Sequence, residues 1–308
     1  MKVTDDLKNF TCSRLPILLG AAHKNALSKN ELLQEFIDKK NGSWVEPEQN
    51  NYSKYTDYFE QAIQKIVQDD FPKLKFKAGA NEKPYAAVST PLACSLDAWA
   101  VAKDPIHVTN PMGQTFTMEG DILIEYKTTS VAEDNLPLYK GPIQVQGQMI
   151  CTNTTKAIVV VFNIRTWQIE YWPIFEHKEV QSKIKEAVRD FWNRRDKEIF
   201  YDPEKPNDYN LIYPNPIAEI KDLSGNNFIG DAINAWHEGN QLIKTGKEKI
   251  EQSQDVIKQA LGEHSFGTYN NFKISWPVRN YKAKPEKVVP AQEAYSKRQS
   301  TISIKEGE

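Results

Sequence analysis

Apolar residues fall into two periods along this chain. In SKNELLQEFIDKKNG, Leu32, Leu33, Phe36 and Ile37 lie on one face of a helix, three and four residues apart. Ser28 precedes the run, Glu31 follows three residues later and Gly42 closes it, which predicts a helix with a capping box. YTDYFEQAIQKIVQDDF repeats the period through Tyr55, Phe59, Ile63, Ile66 and Val67, so these five are expected to point inward. After Phe175, KEVQSKIKEAVRDFWNRRDKE returns to helical spacing, and one or two charged amphipathic helices are expected over 227–262.

Between these helices the period shortens to two. YAAVSTPLACSLDAWAV reads as a strand, a turn at Thr90–Pro91 and a second strand, and HVTNPMGQTFTM as a hairpin with Gly113 near its turn. DILIEYKTTS is a further strand, and KAIVVVFNI and WQIEYWPI are two more joined by a tight turn. The unbroken Ile-Val-Val-Val run marks a strand buried on both faces. YKGPIQVQGQM supplies a short helix, with Pro142 in its first turn. Near the C-terminus, YNNFKISWPV and STISIKEGE are strand-like pieces around a Lys/Pro-rich loop. The expected fold class is α/β, with a mixed central β-sheet flanked by helices. The Pro/Asn-rich FYDPEKPNDYNLIYPNP reads as a linker, which divides a core over 1–205 from a C-terminal extension over 206–308.

Composition narrows the class. The chain has 308 residues, 40% hydrophobic and 26% charged, and no run of eighteen apolar residues, so no membrane span is expected. The first residues lack the apolar core of a signal peptide. Cys12, Cys94 and Cys151 are odd in number and widely spread; they suit neither a disulfide framework nor a CxxC metal site, and a reducing cytoplasm is expected. Three cysteines also cannot hold a four-cysteine iron–sulfur cluster. The five histidines make no zinc motif, and there is no Gly-rich phosphate loop. A formal charge of -2 leaves room for a nucleic-acid partner held by a local basic groove.

Candidate chemistry gathers around DILIEYKTTS. Side chains alternate on a strand, so Leu123, Glu125 and Lys127 share one face while Ile122, Ile124 and Tyr126 share the other. An acid and a base on one strand face are commonplace alone. Upstream, however, Asp97 sits among apolar residues, where a carboxylate needs a partner or a cation. Glu60 lies in an apolar stretch of its helix, and Gln144 and Gln148 stand one turn apart on theirs. Two hard carboxylate oxygens suit Mg²⁺, and a lysine beside them can orient water and offset negative charge on a phosphate. Lys73, Lys75 and Lys77 alternate, which on a strand makes a basic stripe suited to a DNA backbone.

These residues resemble the PD-(D/E)XK nucleases, and within them the YqaJ-like viral recombinases of the lambda-exonuclease type. SLDAWA, ILIEYKTTS and YKGPIQVQGQM stand for three family elements in the family's order, with SRLPILLGAA near the start. Ala-Trp follows Asp97 where Gly-Leu is usual, and Thr-Thr follows Lys127 where Cys-Pro is usual. The resemblance implies Asp97, Glu125 and the Tyr126 carbonyl as metal ligands and Lys127 as the catalytic lysine. It implies Glu60 and Gln144 as completing the site, and Arg14 and Ser95 as contacts to a 5′-phosphate. It further implies Mg²⁺, replaceable by Mn²⁺, double-stranded DNA ends as substrate and a role in phage recombination. A single-strand annealing protein as partner, a ring-shaped homotrimer and the cytoplasm of a bacterium or infected host complete the expectation. The rivals are an endonuclease or flap-processing nuclease on the same core, and a DNA-binding or annealing module that makes no cut.

Overall fold

The computed structural model describes residues 8–45, 51–131, 135–215 and 217–278. It divides into two compact units, Met1–Tyr213 and Pro214–Glu308.

The first unit opens with β1 (Phe10–Thr11), a 3₁₀ turn (Cys12–Arg14) and α1 (Leu15–Leu18). Next come α2 (Lys29–Asn41) and α3 (Asn51–Asp70). Then β2 (Leu74–Phe76), β3 (Tyr85–Ala86), β4 (Leu92–Cys94), β5 (Ala98–Thr109) and β6 (Thr115–Thr129) follow. Last are α4 (Pro142–Thr152), β7 (Lys156–Asn163), β8 (Gln168–Phe175), α5 (Lys178–Lys197) and α6 (Asp208–Ile212). Five strands form one sheet in the order β2-β5-β6-β7-β8. All its pairings are antiparallel except β6 with β7, so the sheet is mixed. A parallel pair needs a crossover, and α4 is that crossover. A second, smaller sheet runs β1-β4-β3.

Strand alternation sends side chains into two cores. Leu123, Ala157, Val159 and Val161 face α1, α2, α4 and α5; Ile122, Ile124, Ile158 and Val160 face α3. β7 is buried along both faces because helices cover both and β6 and β8 flank it. DILIEYKTTS is therefore a central strand. The α2 helix starts as its sequence predicts: Ser28 accepts from the Glu31 amide, Glu31 reaches back to the Ser28 amide, and Gly42 closes the helix at φ 73°.

The inward set expected on α3 is too broad. Ile63 and Val67 are buried, but Tyr55, Phe59 and Ile66 are 48%, 45% and 36% exposed. Among the described residues, this face of the sheet is packed by α3 alone, and one helix buries only the narrow stripe it turns to the strands. The cysteines also depart from expectation. Scattered in sequence, all three converge, because β1 pairs with β4 in register and α4 packs against β4 and the 3₁₀ turn that follows β1.

The first unit extends past the expected boundary at 205, because the α6 carboxylate of Asp208 is built into it. Asp208 accepts from the Ser28 hydroxyl at the cap of α2, and from the amides of Glu204 and Lys205 at 2.7 and 2.9 Å. The second unit holds one continuous helix, α7 (Asn227–Leu261), and the antiparallel hairpin β9 (Phe266–Tyr269) and β10 (Phe272–Ser275). STISIKEGE lies outside the described residues. No helix among the described residues is long and apolar enough to cross a membrane.

Candidate active site

Four elements meet at the C-terminal end of β6. Glu125 and Lys127 point together from its α4 face, as alternation requires. Glu125 is 1% exposed, and each of its oxygens is occupied. Oε1 accepts from Lys127 Nζ and, at 2.7 Å, from Gln144 Nε2. Oε2 accepts from Gln148 Nε2 at 2.6 Å. Lys127 also donates to Gln144 Oε1 at 3.1 Å. Gln144 and Gln148 thus clamp the carboxylate from successive turns of α4. Between them, Gln146 points elsewhere: it donates to the Phe175 carbonyl at 2.7 Å and accepts from the His177 amide at 3.0 Å, which fastens α4 to the end of β8.

Asp97 stands one residue before β5 begins, half-buried. Its Oδ2 accepts from the Tyr126 amide at 2.8 Å, in the place where a β5 backbone acceptor would otherwise sit. In an extended strand a residue's N–H and C=O project to the same side, so the Tyr126 carbonyl also leaves β6 on the Asp97 side. The Tyr126 side chain turns to the opposite face, where its hydroxyl is buried with no hydrogen-bond partner among the described residues. Glu60 lies on α3, half-buried, and its charge reaches both Asp97 and Lys127.

The electrostatics are unbalanced. Burial pushes the Asp97 carboxyl well above the usual range; the negative charges of Glu125 and Glu60 add to this, against Lys127 and the Tyr126 amide. Burial pulls Lys127 down, but Glu125, Asp97 and Glu60 outweigh it and hold the ammonium above its ordinary value. Three acids share one lysine, which leaves about two surplus negative charges when all are ionised. Carboxylate oxygens are the hard donors that Mg²⁺ takes, although the three acids do not close to within 4.8 Å of one another as the cysteine sulfurs do.

The other sequence candidates lie in different settings. Arg14 makes a two-pronged pair with Glu35 of α2, at 3.1 Å on each prong, and Lys39 joins the same carboxylate at 2.9 Å. Ser95 is half-buried in the link between β4 and β5, two residues before Asp97. All three lysines of the basic stripe are solvent-exposed. Lys73 and Lys75 are exposed at the edge strand β2, but Lys77 pairs with Asp121 at 2.6 Å and lies 3.7 Å over the Trp99 ring. Gln148 carries more of the site than its sequence setting implied; its spacing from Gln144 gave the shared helix face, but not which glutamine would be the buried one.

No protein-family model matches the chain, and no curated protein matches it. Among solved structures, the alkaline exonuclease LHK-Exo from Laribacter hongkongensis, known also in complex with dAMP, matches with TM-score 0.46. The identity is 17% over 63% of this chain and 90% of that one. A phage related exonuclease from Haemophilus somnus 129PT matches with TM-score 0.43 at 15% identity, over 62% of this chain and 95% of that one.

Proposed function

We propose, from the side-chain geometry, that this chain is a divalent-metal-dependent DNA nuclease of the lambda-exonuclease type. It hydrolyses phosphodiester bonds at duplex ends and serves phage recombination, in the company of a single-strand annealing protein and as a homo-oligomer. The observation that carries this reading is Glu125. A buried carboxylate held by two glutamines and a lysine, beside a second carboxyl, is costly to assemble for stability alone.

Asp97, Glu125 and the Tyr126 carbonyl would hold Mg²⁺ or Mn²⁺, with Glu60 supporting directly or through water. When bound, such an ion acidifies water and neutralises charge on a phosphate. Lys127 orients the attacking water and offsets the negative charge growing on the phosphoryl oxygens. Gln144 and Gln148 fix the Glu125 carboxylate so that it cannot swing toward the lysine alone. Arg14, steadied by Glu35, and Ser95 contact the terminal 5′-phosphate, and Lys73 and Lys75 meet the backbone further along.

The test uses the full chain on linear and closed circular duplex DNA with Mg²⁺. Degradation of linear duplex alone is expected. Chelation abolishes it, and Lys127→Ala and Asp97→Asn lower it by about 10³-fold while DNA binding persists. Cleavage of closed circles would assign an endonuclease instead. Absence of cutting with every divalent ion tried, with DNA binding intact, would leave a non-catalytic binding module and overturn the reading.

A further inference from the structure

Cys12, Cys94 and Cys151 place their sulfurs within 4.8 Å of one another. Cys12 follows β1 in the 3₁₀ turn, Cys94 ends β4 and Cys151 lies in the last turn of α4. Pairing of Phe10 with Leu92 and Thr11 with Ala93 carries Cys12 to the level of Cys94. Gly147 lets α4 close the trio: a Cβ there would come within 2.4 Å of Leu15 Cδ1 and 2.8 Å of Cys12 Sγ. Cys12 and Cys94 are buried, and Cys151 is half-buried.

A disulfide would use two of these thiols and strand the third. An ion uses all three. Thiolates at zinc–sulfur distances of about 2.3 Å stand about 3.8–4.0 Å apart, whether the centre is tetrahedral or trigonal. The Cys12 and Cys151 sulfurs are 3.9 Å apart already. We propose that Cys12, Cys94 and Cys151 form a site for one soft metal ion of the zinc class, bound by three thiolates with a small exogenous ligand completing the shell. This site is separate in chemistry from the hard-oxygen site at Glu125, and each set of donors selects against the other's ion.

The protonation pattern agrees with this. Hydrogen bonds from Cys12 and then Cys94 lower the Cys151 thiol to about 5. Burial, and then the bond to Cys151, keep Cys12 well above its ordinary value. At Cys94 the Cys12 bond lowers the thiol, but Cys151 and burial outweigh it. Thiolates rather than thiols ligate the ion, so metal binding releases protons. The bound ion staples the N-terminal turn and β4 to α4, the helix whose Gln144 and Gln148 hold Glu125.

The full chain, reduced and stripped of metal by a chelator, is titrated with Co²⁺ in excess Mg²⁺, which saturates hard-oxygen sites. The expected result is one equivalent of Co²⁺ with an intense sulfur-to-cobalt charge-transfer band, displaced by one equivalent of Zn²⁺. Zn²⁺ titration in weak buffer releases protons as the thiols become thiolates. Neither measurement needs a variant. Cys151→Ser changes the half-buried member and weakens Zn²⁺ by about a hundredfold or more, since loss even of an outer partner costs 10–100-fold. Three results would overturn the proposal: a wild-type protein without the charge-transfer band, Zn²⁺ affinity unchanged in Cys151→Ser, or a trio that only forms a Cys12–Cys151 disulfide with peroxide and binds no metal. Nuclease activity enters none of these readouts.

Discussion

Gln148→Met isolates the hydrogen bond that holds the buried carboxylate. Methionine keeps the length and methylenes of glutamine but removes the donor 2.6 Å from Glu125 Oε2, which has no other partner among the described side chains. A hydrogen bond to a charged group contributes about 1.5–3 kcal/mol. Part of this returns, because Gln148 Oε1 is buried without a partner and its removal relieves a cost of about 1 kcal/mol. The net loss is about 0.5–2 kcal/mol, which for a unit of this size lowers Tm by about 1–8 °C. Gln144→Met removes both the donor to Oε1 and the acceptor of Lys127, but Gln144 is only half-buried, so water replaces both, and with Lys127 still donating to Oε1 the cost should be less than about 1 kcal/mol. Thermal and urea unfolding measure both variants, alone and in a Glu125→Gln background. The Gln148→Met penalty should shrink when Glu125 no longer carries charge. A Gln144→Met penalty equal to or above that of Gln148→Met, or a Gln148→Met penalty unchanged by Glu125→Gln, refutes the assignment of the clamp.

Other outcomes follow from the same geometry. Gly147→Ala should destabilise by about 1–3 kcal/mol in urea unfolding, because its methyl group overlaps Leu15 and Cys12. Arg14→Lys should reduce the preference for 5′-phosphorylated over unphosphorylated linear duplex by at least about tenfold, since lysine cannot hold the two-pronged geometry; an unchanged ratio removes Arg14 from end recognition. On the acid side, Glu35 and Asp208 are two of the carboxylates held below their ordinary values. Glu35 is held there because Lys39 and Arg14 outweigh burial, and Asp208 because Ser28 and two amides do. Their contribution is complete above the ordinary values of 4.5 and 3.8 and is lost as pH falls through the lowered folded values. Asp208→Asn should therefore flatten the decline of Tm below about pH 4, and an unaltered slope contradicts this.

The sequence made some of this legible for physical reasons that also mark its limits. Period two placed Glu125 and Lys127 on one face before any contact was known, and the Ser28–Glu31–Gly42 set located α2 because capping is local chemistry. On α3 the period gives the helix but not how much of its circumference the sheet covers, and Tyr55, Phe59 and Ile66 face solvent. Nothing in KLKFKAG shows that Lys77 pairs with Asp121, two strands across. The cysteine trio is invisible in the chain because its members meet through strand register and helix packing, not spacing.

The glutamine clamp lies between these cases. β6 and β7 run parallel, so the chain must cross over one face of the sheet to start the next strand. α4 makes that crossover over the face carrying Leu123, Glu125 and Lys127. Once it does, residues four apart on the helix point at the same stretch of strand. Glu-x-Lys on β6 and Gln-x-x-x-Gln on the following helix then meet as a consequence of topology. Two motifs adjacent in sequence, neither specific alone, become one site because the parallel pairing leaves the helix nowhere else to lie.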